Sequence, residues 1–105
     1  MSEQELQRAI LDRLSVMPGV WCWRQNTGVA RMAGGRVRFG LVGSGDISGG
    51  LQGGRRLELE VKTEKGQPSE EQVKFGAKVN AMGGLWAVVR SVSEAVAIVQ
   101  EALKP

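Results

Sequence analysis

One segment constrains the fold more than any other, because its side chains alternate strictly between apolar and charged. In residues 56–62 the apolar members are Leu57, Leu59 and Val61, and the charged members are Arg56, Glu58, Glu60 and Lys62. Successive side chains of a β-strand point to opposite faces of its sheet. The pattern therefore predicts a strand with one face in a hydrophobic core and with carboxylates and a lysine on the other face.

Helices and further strands are predicted on both sides of this strand. Apolar residues at helical spacing predict a helix over 3–16, and a capping box at Ser69 and Gln72 opens another that runs to about 82. Strands are predicted at 20–24, 29–32 and 36–39, with a strand-turn-strand around Asp46-Ile47. The apolar run 85–89 predicts a central strand buried on both faces, before a last helix to about 103. This order predicts one α/β domain spanning 1–105, with a mixed sheet flanked by helices.

The composition excludes several kinds of chemistry. The chain has no histidine and a single cysteine, Cys22, so histidine-based catalytic triads, common zinc sites and internal disulfides are all excluded. It contains no phosphate-binding Walker loop, so no nucleotide cofactor is expected. No apolar run could span a membrane and no secretory signal is evident, which predicts a cytoplasmic protein without a membrane partner. Any metal should be a hard cation held by carboxylates, such as Mg²⁺ or Mn²⁺.

Arginine is concentrated in one region of a chain whose net charge is only +3. Residues 20–57 contain six arginines and one acidic residue, Asp46. Such a segment suits contacts with phosphate, although a solvated basic surface would have the same composition. The residues predicted to contact DNA are Arg24, Arg31, Arg36, Arg38 and Lys65.

The chemistry centres on Glu60 and Lys62, which share one face of the predicted strand, and on Asp46 in the turn before it. Two carboxylates that meet at one point can bind a divalent cation, with the carbonyl of Val61 as a further oxygen ligand. The cation could activate water against a phosphodiester, and Lys62 could orient that water or offset charge on the phosphate. The alternative is an exposed strand face carrying an ordinary salt bridge.

Motifs along nearly the whole chain resemble one nuclease family. They are Glu3 with Leu6-Gln7 and Ile10; 23–28; 38–40; 43–47; 59–62; and Gly66 with Ser69 and Gln72. Together they resemble the virus-type replication-repair nuclease domain (VRR-NUC), a branch of the PD-(D/E)XK superfamily with a restriction-endonuclease-like core. The family proline before the aspartate is replaced by Gly45, for which we expect a looser turn without loss of a ligand.

The resemblance implies a role for each matching residue. Asp46, Glu60 and Lys62 match the catalytic residues of the family, and Gln72 matches a glutamine that borders the site, although it could equally be only a helix cap. A glutamate of the first helix completes the family's metal site. Glu3 is preferred for it over Glu5, because Glu3 lies on the packed face of that helix.

The family further implies a Mg²⁺- or Mn²⁺-dependent endonuclease that acts on branched DNA such as Holliday junctions. It also implies a homodimer in a bacterial or phage-infected cell. A non-catalytic DNA-binding module and a purely structural subunit remain as alternatives.

Four further residues have competing interpretations. Glu58 could support the metal site but is expected to be solvated. Trp21 and Trp23 share a strand face and are expected in the core or at a dimer contact, with base stacking as the alternative. Trp86 is expected in the core.

Overall fold

The computed structural model describes residues 1–25, 28–32, 35–39 and 45–105, with 28–32 and 35–39 described by their backbone. The elements in this part of the chain are α1 (Glu3–Ser15), β1 (Val20–Arg24), β2 (Gly28–Met32), β3 (Gly35–Phe39), β4 (Ile47–Leu51), β5 (Arg55–Val61), α2 (Glu70–Ala81), β6 (Leu85–Val89) and α3 (Val92–Leu103). The predicted helices and strands are therefore confirmed, with small differences at their ends. No helix in the described ranges is long and apolar enough to cross a membrane.

Two of the helices begin with reciprocal capping boxes. The Ser2 hydroxyl accepts the Glu5 amide at 3.1 Å, and the Glu5 carboxylate accepts the Ser2 amide at 3.2 Å. Ser69 and Gln72 make the same pair of bonds at the start of α2. These side chains satisfy amides that the first helical turn leaves without a backbone partner.

The main sheet has the strand order β1-β4-β5-β6. Strands β1, β4 and β5 pair antiparallel, and β6 lies parallel to β5, so the sheet is mixed. The β2–β3 hairpin forms a separate antiparallel pair. This arrangement confirms the α/β class with a mixed sheet flanked by helices.

The two faces of the sheet differ as the alternation in β5 predicts. Leu57, Leu59 and Val61 are fully buried in the core with apolar residues of α1 and α3. On the opposite face, α2 packs over β5 and β6. A Cβ atom at Gly76 would collide with the indole ring of Trp86, so only glycine lets α2 lie this close to the sheet.

One expectation about a strand is wrong, and the core position is excluded for two tryptophans that were expected in the core or at a dimer contact. The apolar strand β6 is a terminal strand of the described sheet instead of a central one, and it is apolar because helices lie on both its faces. Trp21 and Trp23 are not core residues, since their exposed fractions are 75% and 43%. They lie on the face of β1 opposite α1, beyond the part of the sheet against which α2 packs. Trp86 was expected in the core, but it is half-buried under α2 on the face of the sheet opposite the core.

Candidate metal centre

Asp46 is fixed between the ends of β1 and β5 by contacts with two backbone amides. One of its carboxylate oxygens, Oδ2, accepts the amide of Val61 at 2.7 Å. Its own carbonyl accepts the amide of Gln25, just after β1, at 2.9 Å. Because β4 runs antiparallel to β5, the start of β4 and the end of β5 meet at one edge of the sheet. The fold therefore brings the predicted aspartate to the predicted Glu-x-Lys strand.

Glu60 places a carboxylate almost completely out of solvent, with an exposed fraction of 1%. Its Oε1 atom accepts a hydrogen bond from Gln72 Nε2 at 2.6 Å and lies 3.4 Å from Lys62 Nζ. Its Oε2 atom is buried and has no hydrogen-bond partner among the described residues. A buried carboxylate oxygen without a donor is costly unless a proton or a cation neutralises the group.

The electrostatic environment of Glu60 also favours a cation at this site. Burial, followed by the nearby carboxylate of Asp46, raises the pKa of Glu60 to about 8, against a smaller opposing effect of Lys62. Desolvation and a like charge both disfavour the ionised form of a carboxyl group. A divalent cation between Asp46 and Glu60 would reverse both effects, so this donor set fits a hard cation such as Mg²⁺ or Mn²⁺.

Lys62 is held beside Glu60 by the loop that follows β5. Its side chain is only 16% exposed. A Cβ atom at Gly66 would lie 3.3 Å from Lys62 Cδ, so the loop folds closely over the lysine stem. Arg90 anchors that loop by donating from Nη1 to the carbonyls of Thr63 and Gly66, both at 2.7 Å. Arg90 was not predicted from sequence; its position directly after β6, which is parallel to β5, is the signal that could have indicated it.

Gln72 combines the two roles that the sequence left as alternatives. Its Oε1 atom accepts the Ser69 amide at 2.7 Å, which completes the capping box. Its Nε2 atom donates to Glu60. One side-chain amide thus ties the start of α2 to the buried carboxylate, and this bond occupies the Oε1 side of that carboxylate.

Glu58 is fully buried, so the expectation that it is solvated is wrong. Its carboxylate accepts the Gly45 amide at 3.2 Å, the Ser48 hydroxyl at 3.0 Å and Arg56 Nε at 3.2 Å. Charge-assisted hydrogen bonds of this kind compensate for the burial of the carboxylate. Glu58 therefore fixes the residue before Asp46, which agrees with the supporting role that the sequence offered as the alternative.

The backbone at Gly45 lies close against β5. A Cβ atom at Gly45 would lie 2.7 Å from the carbonyl oxygen of Leu59, and the Gly45 amide is bound by Glu58. A proline would add the Cβ and remove the amide hydrogen. Glycine is required here because the backbone approaches β5 too closely for any side chain.

Replacing Gly45 with proline, the residue usual in the family, is therefore expected to destabilise the protein. Overpacking and loss of a hydrogen bond to a buried charge together should lower the free energy of unfolding by about 2 kcal/mol or more. Urea denaturation measures this change. Gly50→Ala is the control, since a Cβ there would meet only the Arg55 carbonyl at 3.7 Å. Equal stability of both variants and the wild type would show that the turn at Gly45 is not constrained in this way.

The predicted metal ligand on α1 does not join the two carboxylates in the part of the chain that the structure describes. Glu3 is half-buried on α1, whereas Glu5 is exposed and its pKa is lowered by the bonds with Ser2. Within the described ranges, no three histidine, cysteine or acidic residues form a group that could hold a metal, so Glu3 is not gathered with Asp46 and Glu60. Val61 meets Asp46 through its amide.

Of the five residues predicted to contact DNA, the structure describes the side chains of two. Arg24 is exposed at the end of β1, where its Cα pairs with Ile47, and Lys65 is exposed in the loop after β5. The side chains of Arg31, Arg36 and Arg38 lie outside the described part. So do the motif residues Asn26, Thr27, Gly40, Gly43 and Ser44.

Comparison of the chain with protein-family models, with curated proteins and with solved structures gave no match. The function must therefore be inferred from the residues of the site and from the motifs that they form.

Proposed function

We propose that this protein is a metal-dependent DNA nuclease with a PD-(D/E)XK core of the VRR-NUC type. The observation that carries the proposal is the buried carboxylate of Glu60, whose Oε2 atom has no donor among the described residues, beside Asp46 and Lys62. These three residues are the aspartate, glutamate and lysine of the family motif. A salt bridge on an exposed strand face would leave Glu60 in solvent, which is not what is observed.

Asp46 and Glu60 would hold Mg²⁺ or Mn²⁺, with the carbonyl of Val61 as a further candidate ligand. Glu3 remains the candidate from α1, since it lies on the same helix face as the buried Leu6 and Ile10. When bound, such a cation polarises a phosphodiester and lowers the pKa of water at the site. All of these donors are oxygen atoms, which matches the preference of both cations.

The remaining residues prepare the site for an attack on a phosphodiester. Lys62 presents an ammonium group 3.4 Å from Glu60 Oε1, where it can orient a water molecule or offset charge that develops on the phosphate. Gln72 holds the same Oε1 atom and so limits rotation of the carboxylate. Glu58 and Gly45 hold the backbone that carries Asp46. Gln72, Glu58 and Gly45 thus act before the reaction by fixing the ligands in place, whereas Lys62 can also act during it.

The substrate and assembly are proposed from the resemblance. Branched DNA such as a Holliday junction is the proposed substrate, cut by a homodimer in the cytoplasm of a bacterial or phage-infected cell. A two-fold axis would present two sites to a branched duplex of similar symmetry.

Cleavage of matched substrates tests this proposal. The wild-type protein is incubated with a four-way junction, a linear duplex and a single strand of the same sequence, in Mg²⁺, in Mn²⁺ and in EDTA. We expect cleavage only with a divalent cation and fastest on the junction. Faster cutting of the linear duplex would refute the branched-substrate proposal. No cutting of any substrate would refute the nuclease, and retained binding would then indicate a DNA-binding module.

A further inference from the structure

One face of the sheet contains an open trough between an aromatic pair on β1 and helix α2. It is defined by Trp21, Gly50, Arg56, Lys74, Phe75 and Lys78. Trp21 and Trp23 project from β1 on the same face of the sheet as Glu58, while α2 packs over β5 and β6 on that face. The strand between them, β4, forms the floor.

A row of three paired residues crosses the trough from β1 to β5. Trp21 pairs with Gly50, and Gly50 pairs with Arg56. Neighbouring strands are about 4.8 Å apart, so the backbones of Trp21 and Arg56 are separated by about 10 Å. Gly50 places no side chain between them, and a Cβ there would meet only the Arg55 carbonyl at 3.7 Å. At Gly50 the backbone of β4 is therefore uncovered between the indole of Trp21 and the guanidinium group of Arg56.

The groove between α2 and β5 is lined by more basic than acidic residues. A groove of about 680 Å³ lies between α2 and the β4–β5 turn, and four of its lining residues are basic (Arg55, Arg56, Lys74 and Lys78) whereas one, Glu71, is acidic. The Arg56 guanidinium lies 6.0 Å from the centre of the Phe75 ring. Lys74 pairs with Glu70, but both side chains are at least 70% exposed, and such surface pairs are weak. The lysines are therefore available to a polyanion.

The opposite wall offers aromatic rings to a ligand. Trp21 is 75% exposed and packs edge-on against Trp23, with ring centroids 5.3 Å apart. Base stacking on exposed aromatic rings beside a positive groove is how single strands are bound without sequence preference. The trough also leads along α2 toward the metal centre, because Gln72 in the first turn of α2 binds Glu60.

We propose that the trough binds an unpaired DNA strand, with bases stacked on Trp21 and phosphates beside Lys74 and Lys78. The identity of the strand as DNA rests on the proposed nuclease function. A second copy of this chain is a poorer occupant, because a symmetric contact would bring the basic residues of the two grooves together. The unpaired strand at a branch point is thus guided along α2 to Glu60.

Binding in EDTA tests the trough without requiring cleavage. Anisotropy of a fluorescein-labelled single strand of about 16 nucleotides is measured for the wild type, Trp21→Ala and the double variant Lys74→Ala/Lys78→Ala. Trp21→Ala should weaken binding about 5- to 150-fold, as expected for the loss of one stacked base. The double variant should make the slope of log K against log salt shallower by about 1.4, or 0.7 for each lysine.

Lys104→Ala is the matched control, because Lys104 is as exposed as Lys74 (69% against 70%) and is likewise paired with a glutamate of its own helix. It should reduce the slope by much less than the 0.7 expected for one lysine of the trough. Wild-type affinity and slope in both trough variants would overturn the proposal. A second result would also overturn it. If Trp21→Ala self-associates less than the wild type in sedimentation but binds DNA equally well, the face is a contact with a second copy of the chain. Trough-dependent binding without cleavage in Mg²⁺ would refute the nuclease function and leave the trough standing.

Discussion

Asparagine at position 46 is expected to lower Mg²⁺-dependent cleavage by about 10²–10³-fold while leaving the protein folded. Asp46→Asn keeps the shape of the side chain and an oxygen that can accept the Val61 amide, but it removes the negative charge that would bind the cation. The lost stabilisation of charge in the transition state is several kcal/mol, and each 1.36 kcal/mol is a factor of ten in rate. Single-turnover cleavage of the four-way junction measures the effect.

Asp12→Asn is the matched control for this variant. Asp12 lies on α1, is 72% exposed and pairs only loosely with Arg8 at 3.9 Å. It loses the same charge at a distance from the site, so its cleavage rate should equal that of the wild type. Equal rates for Asp46→Asn and Asp12→Asn, with circular dichroism spectra unchanged, would rule out Asp46 as part of the catalytic centre.

Glutamine at position 60 is expected to stabilise the metal-free protein, although it removes the second carboxylate of the site. Glu60→Gln retains an oxygen for the Gln72 donor and eliminates the buried charge beside Asp46. At pH 8 the gain in the free energy of unfolding should be on the order of 2–4 kcal/mol, because a tenfold difference in the ionisation constant between the folded and unfolded states corresponds to about 1.4 kcal/mol. Urea denaturation in EDTA measures this gain.

The pH dependence distinguishes this cause from a simple packing effect. Burial and Asp46 raise the pKa of Glu60 from 4.5 to about 8 in the folded protein, so the folded state holds its proton to higher pH than the unfolded state. Stability should therefore fall as pH rises from about 4.5 to 8 in the wild type, and this fall should be absent from Glu60→Gln. Glu64→Gln, at an exposed loop position, should behave as the wild type. If Glu60→Gln is no more stable than the wild type at pH 8, the buried charge of Glu60 is not the cause of the instability.

The features that depend on local pattern could be predicted from sequence. The alternation in β5 placed Glu60 and Lys62 on one face, and the spacing of Ser69 and Gln72 located the start of α2. Both depend on contacts within a few residues, where the period of a strand or the geometry of a cap leaves few alternatives. The chain-long resemblance added Asp46, which residue spacing alone left as one possible partner of Glu60.

The features that depend on strand neighbours could not be predicted in this way. An apolar strand such as β6 shows that both its faces are covered, but not whether a further strand pairs with each of its edges. Alternation likewise assigned Trp21 to a face without showing that α2 packs elsewhere on it. The burial of Glu58 arises from Ser48 on the neighbouring strand and from Gly45, whose sequence separation from Glu58 gives no local signal.

Mn²⁺ binding measured by titration calorimetry tests most directly whether Asp46 and Glu60 jointly hold a divalent cation. The account predicts saturable binding by the wild type and a loss of more than about tenfold in affinity for Asp46→Asn and for Glu60→Gln. Lys62→Met should bind at least as tightly as the wild type, because it removes a competing cation 3.4 Å from Glu60 Oε1. Unchanged affinity in both carboxylate variants, or no binding by the wild-type protein, would contradict the account.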